Sequence, residues 1–465
     1  MPVLGYRSLW WLVGLRSYLP YQLLVVLLHL TVAALLRTVM RRAGASLWVA
    51  TTTAALFAFF GAGYENIVLG FQIGFDASLV FGLTHLVLAD HDGQLDRRDG
   101  FGLAAGLAGL LCSGVAVPMS LVVGVAVLLR RGLRIALVHT VPLGVLYTLW
   151  SLRFPDSHTT SGVLTFGNLV HFVTSNVRAT FLALGQLPGM GVALGVLLAV
   201  GAGLLWARAR DTAELRVRVG PPIALLVGAF VFLVITGVGR GGPTRFGHLT
   251  PEASRYIYVV AALTLPALAV AASAVVQYRR WLAPVVLAMF VVGIPGNITT
   301  LADHMDAVAP YQHAFKEHVE SLPRVPVAKR VPRWVRPLSV LGPQITVGWL
   351  LDAAASGRLA HPAPSTPSEV ATHRLQLSIV PDDKHLASNR CRVVTGATSR
   401  TLQDGDSITA RDPLVYIFLR TAGGMSGAVT IGASPLPKTV ITVVPTVTVD
   451  IVPAKSGVKL CGRSF

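Results

Sequence analysis

Three arginines stand close together in the stretch Gly237 to Tyr258, GVGRGGPTRFGHLTPEASRYIY: Arg240, Arg245 and Arg255. Their guanidinium forks match phosphate oxygens, and the glycines among them let backbone N–H groups approach an anion. Tyr256 and Tyr258 are expected to add amphipathic rings at headgroup level. Two readings of this stretch stay open: an anion-binding site, or a connector whose arginines touch lipid phosphates. A second set, Glu65, Gln72 and Asp76, follows spacings of seven and four and shares one helical face. A carboxylate at bilayer depth costs roughly 2.5 to 3.5 kcal/mol on insertion scales, so Asp76 is a functional candidate, with interhelical hydrogen bonding as the structural alternative. Glu65, after Gly63 and Tyr64, is expected at a wet outer boundary. Cys391 and Cys461, in the polar C-terminal part, can form a disulfide if that part lies outside the cytosol. No HExxH, CxxC or phosphate-cradling Walker pattern occurs. No cofactor is called for, and a divalent metal is left open. The NIT at Asn297 matches a glycosylation sequon.

The elements that must position these residues follow from composition. Of 465 residues, 53% are hydrophobic and 13% charged. Apolar runs of bilayer length recur, which marks a polytopic membrane protein. The net charge of +17 comes largely from arginines beside apolar runs. That is the signature of cytoplasmic loops and anionic lipid contact, and it argues against nucleic acid.

The positive-inside rule then fixes an order. The spans are 19–36, 45–63, 68–89, a hairpin within 101–129 broken near Ser113 to Pro118, 135–152, 187–206, 222–236, 259–276 and 281–295. An interfacial helix is expected over 168–184. With this order 237–258 faces outward and the N-terminus lies outside, which implies one more span upstream. The expected fold is an all-α polytopic membrane domain of about ten helices (1–299). An outer-face amphipathic helix and Pro-rich linker (300–370) and a small extracytoplasmic β-sandwich-like domain (371–465) follow. The β domain is read from period-two, β-branched runs beginning at Leu375, Leu377 and Ile379.

The segments LRSYLPYQLLVVLLHLTVAALLRTVMRR, GAGYENIVLGFQIGF and EASRYIYVVAALTLP resemble polytopic glycosyltransferases of the GT-C superfamily, in particular the protein-mannosyltransferase-like membrane proteins of actinobacteria. The resemblance covers roughly residues 1–295. It implies transfer of a sugar from a polyprenyl-phosphate donor at the outer membrane face, to an envelope protein or glycan acceptor. The family's catalytic carboxylate lies in the first outer loop. Here residues 1–18 contain no Asp or Glu, so either an acidic loop precedes this chain or the chain is not catalytic. On this resemblance Arg255, Tyr256, Arg240 and Arg245 would contact the donor phosphate, and Glu65 is the remaining outer-face acid. A non-catalytic assembly protein and a transporter are the rival classes.

Overall fold

A backbone in hydrocarbon has no water to bond, so each long apolar run satisfies its own N–H and C=O groups as a helix. The computed structural model describes residues 2–154, 165–209, 213–240, 243–244, 247–248, 251–337, 344–360, 366–381, 390–421, 424–432, 436–454 and 457–462. The helices run α1 (Pro2–Val13), α2 (Leu19–Arg42), α3 (Leu47–Ala58), α4 (Tyr64–Val68), α5 (Ile73–Ala89), α6 (Arg97–Leu110) and α7 (Ala116–Arg131). They continue as α8 (Leu133–Arg153), α9 (Phe166–Gly185), α10 (Met190–Ala209), α11 (Ala213–Arg240), α12 (Ser254–Tyr278), α13 (Ala283–Val291) and α14 (Gly293–Ser321). Short 3-10 turns occupy Gly61–Gly63 and Gly70–Gln72, and β1 (Pro243–Thr244) pairs with β2 (Gly247–His248).

Seven helices among the described residues are long and apolar enough to cross a membrane, or eight if α3 and the segment Gly61–Val68, bent by 44°, form one broken span. The protein is thus a mostly helical membrane protein. The expected count of about ten is reached only by adding α6 and α7, each shorter than a span. Those two form an antiparallel hairpin, because Arg131 at the end of α7 bonds Asp99 in the first turn of α6. The break at 111–115 precedes Pro118, whose missing donor suits a first helical turn.

The chain divides into two compact units, 1–9 with 18–307 and 10–17 with 308–465. In the first, α12 is the hub: every residue from Tyr256 to Val275 is buried. Helices α2, α3, α9, α10 and α11 pack around it. Helix α14 runs unbroken from Gly293 to Ser321, so the apolar run 281–295 and the polar helix that follows it are joined without a loop at Asn297. Nor is Asn297 an available sequon. It is fully buried, and its Nδ2 donates to Ala183 O and Gly293 O, both at 2.9 Å.

The second unit holds α15 (Val347–Ala355), α16 (Pro367–Ser378) and β3 (Ile379–Pro381), β4 (Cys391–Val394), β5 (Thr398–Gln403), β6 (Ser407–Ala410), β7 (Leu414–Thr421), β8 (Gly424–Gly432), β9 (Thr439–Thr442), β10 (Thr446–Pro453) and β11 (Val458–Cys461). Two antiparallel sheets, ordered β5-β10-β7-β8 and β3-β9-β6-β11-β4, contribute to one core that includes Ile417, Val449, Ile408 and Leu460. Cys391 and Cys461 sit opposite each other on β4 and β11 and are disulfide-bonded. The stretch from Thr372 is helical where period two had implied a strand. Thr366 and Glu369 form a reciprocal capping box with Pro367 in the first turn, and that start signal outweighs the alternation of Leu375 and Leu377.

Candidate functional site

The site grows from the first turn of α12 against the bent segment before α5. Ser254 Oγ donates to Ala62 O (2.7 Å) and accepts from Glu65 N (3.2 Å). Ala62 N donates in turn to Asn297 Oδ1 (3.2 Å). Close approach demands glycine here. A Cβ on Gly61 would lie 1.7 Å from Asn297 O, and one on Gly63 would lie 2.6 Å from the Tyr258 ring. The turn thereby brings Glu65 to Arg255: Arg255 Nη1 lies 3.1 Å from Glu65 Oε2 and 3.3 Å from Oε1, and Arg255 N donates to Oε2 at 3.2 Å. Both side chains remain about one-fifth exposed, at 18% and 19%. The guanidinium lies over the Tyr256 ring, 4.9 Å from its centroid, and its Nε has no hydrogen-bond partner.

Asn66, the next residue after Glu65, turns the other way and donates from Nδ2 to Asp76 Oδ1 at 3.3 Å. Asp76 is fully buried in the first turn of α5. Its Oδ2 has no hydrogen-bond partner, and neither do Asn66 Oδ1 and the Tyr6 hydroxyl. The Tyr258 and Tyr6 hydroxyls lie within electrostatic reach of the carboxylate. Tyr258 OH is also 2.9 Å from His29 Nδ1, and His29 Nε2 is 3.1 Å from Ala58 O. Stacked rings of Tyr6, Tyr21 and Tyr18 form a wall beside these groups. Tyr18 OH accepts from Gly70 N (2.6 Å), which pins the turn that leads into α5.

Arg255 and Asp76 are therefore brought to consecutive residues of α4, Glu65 and Asn66. Glu65, Gln72 and Asp76, expected on one helical face, instead fall on α4, the 3-10 turn and α5, because Leu69 is extended and breaks the helix between them. Gln72 is buried at the N-cap of α5. Tyr256 and Tyr258, expected at headgroup level, are instead 1% and 0% exposed. They belong to a helix surrounded on all sides, and Tyr256 packs among Phe172 and Phe232. Arg240 is the last residue of α11, with its side chain outside the description, and Arg245 lies outside the described residues altogether.

A second polar cluster was invisible in the sequence because its bonded side-chain pairs are 32 to 54 positions apart. His85 Nε2 lies 2.9 Å from His139 Nδ1, and His139 Nε2 lies 2.9 Å from Asp99 Oδ1. Arg131 holds both Asp99 oxygens, at 2.5 and 3.1 Å, while Asp96 N donates to Oδ2 at 2.8 Å. Burial pushes the Asp99 carboxyl up. The Arg131 guanidinium, the Asp96 N–H and His139 outweigh it and hold the group below the usual carboxylate range. His91, Asp96 and Asp99 bring possible metal-ligand atoms within 4.8 Å of one another. Those carboxylates are already spent on Arg131, His139 and the α6 cap, so the set does not make an open metal site.

Comparison with protein-family models, with curated proteins and with solved structures finds no match. The chemistry at Asp76 and Arg255 therefore rests on geometry alone. It offers a buried carboxylate, held by Asn66, with an open Oδ2, and, held by the neighbouring Glu65, a partly exposed guanidinium whose buried Nε has no hydrogen-bond partner.

Proposed function

We propose that the protein is a membrane glycosyltransferase of the GT-C kind that takes its sugar from a polyprenyl-phosphate donor. The observations that carry this reading are the open Asp76 carboxylate, held by Asn66, and the Arg255 guanidinium held by the adjacent residue Glu65. Buried polar groups are almost always satisfied, and those left open mark strain, missing water or a place for a ligand. In the proposed reaction Asp76 takes the proton of an acceptor hydroxyl as that oxygen attacks the anomeric carbon. The bond from that carbon to the phosphate oxygen breaks, and the departing polyprenyl phosphate gathers negative charge against Arg255. Glu65 then acts as the group that orients Arg255, not as the base. On this reading the arginine-rich turns lie in the cytoplasm and the 237–258 stretch outside. The second unit also lies outside as a sandwich that meets an envelope protein or glycan acceptor, a placement that the Cys391–Cys461 bond supports.

The test uses the purified full chain in lipid with a short-chain polyprenyl-phosphate hexose. Arg255→Lys keeps the charge but loses the planar fork, and should weaken donor binding by about 10 to 100-fold. Asp76→Asn should leave donor binding in place and lower transfer by about 10²- to 10⁴-fold. Donor binding unchanged in both Arg255→Lys and Arg255→Ala overturns the proposal.

A further inference from the structure

Helices α7 and α11 contribute to two cavities of opposite character. One, of about 570 Å³, is lined by Arg42, Arg98, Arg130 and Arg218 together with Asp90 and Asp92. The other, of about 430 Å³, is apolar and is lined by residues including Leu129, Leu198, Trp206, Val219 and Ala271. Consecutive residues face the two spaces. On α7 Leu129 lines the apolar cavity and Arg130 the polar one, and on α11 Val219 and Arg218 repeat the division. The boundary between a basic chamber and a hydrocarbon-like groove therefore runs across the α7–α11 contact.

The charges in the polar chamber do not cancel. Arg130 takes both aspartates, Asp92 through two bonds at 2.9 and 3.0 Å and Asp90 at 3.0 Å. Arg42 donates only to the backbone oxygen of Val87. Among the described residues Arg42 and Arg98 have no acidic partner, and Arg218 pairs only with the exposed Glu214 of its own helix. An anion is wanted there, and a hydrocarbon chain is wanted next door. Inorganic phosphate would satisfy the first space and leave the second empty, whereas an amphiphile with an anionic head satisfies both.

We propose that this basic end of the helical unit binds an anionic phospholipid, its phosphate among Arg42, Arg98 and Arg218 and one acyl chain in the groove lined by Leu129 and Ala271. The site is separate from that at Asp76. Asp90, the C-cap of α5, lies fourteen positions after Asp76, which is about 21 Å along the axis.

Native mass spectrometry of the full chain in detergent tests this with phosphatidylglycerol, phosphatidylcholine and soluble glycerol phosphate as probes. Phosphatidylglycerol should be retained about tenfold more tightly than phosphatidylcholine, and glycerol phosphate at the same concentration should not displace it. The exposed pair Arg42→Gln and Arg98→Gln should weaken phosphatidylglycerol by about tenfold or more. Ala202→Phe, which fills the groove, should weaken the lipid and leave glycerol phosphate unaffected. Equal retention of the two phospholipids overturns the proposal, and that measurement on the unmodified chain stands even if a variant fails to fold. Displacement by glycerol phosphate at lipid-like concentration also overturns it, in favour of a soluble anion site.

Discussion

Asp76 and Asp99 are both buried carboxylates in the first turn of a helix, yet their surroundings differ in kind. Asp99 is saturated. Arg131 grips both oxygens, His139 bonds one and the Asp96 N–H the other. Asp76 has a long 3.3 Å bond from Asn66 and the Tyr258 hydroxyl close by, and its Oδ2 has no hydrogen-bond partner. A saturated buried network joins elements that would otherwise separate, here α6, α7 and α8, and it rigidifies them. An open buried carboxylate weakens the fold at rest and earns retention only through something that occupies it. The difference separates a carboxylate that holds structure from one poised for chemistry, and it can be broken experimentally.

The largest effect is expected at the saturated end. Arg131→Ala leaves the buried Asp99 with only His139 and the Asp96 N–H and without its cationic partner, and removing one partner of a buried pair costs about 3 to 5 kcal/mol. Thermal unfolding of the full chain in detergent measures this. A loss below about 1 kcal/mol would mean that the Asp99 network is not what joins the hairpin to α8.

A smaller effect should appear with pH. The folded Asp99 carboxyl is held below the ordinary value of about 3.9, so the unfolded chain takes up its proton first as pH falls. The stabilisation is therefore fully present above about pH 4 and drains away below it, as pH approaches the folded value. Arg131→Gln removes most of the cause. The stability gap between wild type and Arg131→Gln should be constant from pH 7 to 5 and narrow below about pH 4. A gap that stays constant to pH 3 would assign the effect of Arg131 to packing alone.

The two clusters also mark how far the sequence could be read. The hairpin break was legible because Ser113 to Pro118 combines small residues with a proline, a local signal. The polar residues Glu65 and Asp76 and the arginine at 255 were legible as unusual types in apolar surroundings. Their association was not, because Glu65 and Arg255 are 190 positions apart and only the packing of α12 brings them together. His85, His139 and Asp99 failed for the same reason. Tyr256 and Tyr258 misled because an amphipathic ring at a helix start suits an interface equally well. Only the burial of α12 on every side decides against it. At α16 the signal was present in the residues Thr366 to Glu369, but the alternating leucines that follow mimicked a strand.

The smallest effect is the sharpest test of the comparison. Asp76→Asn keeps the shape of the side chain, removes its charge and supplies a donor that can meet the open Asn66 Oδ1 or the Tyr258 hydroxyl. If Asp76 is an unsatisfied group kept for chemistry, neutralising it relieves desolvation with almost no loss of bonding, because the Asn66 Nδ2 donor retains an amide oxygen to bond. Unfolding stability should stay level or rise by about 1 kcal/mol, the reverse of Asp99→Asn, which strands Arg131 in a buried position where only 1% of its side chain is exposed. The two asparagine variants, measured side by side in the same detergent, should move in opposite directions. A loss above about 1 kcal/mol in Asp76→Asn would place Asp76 in the same class as Asp99, a carboxylate that holds the helices together.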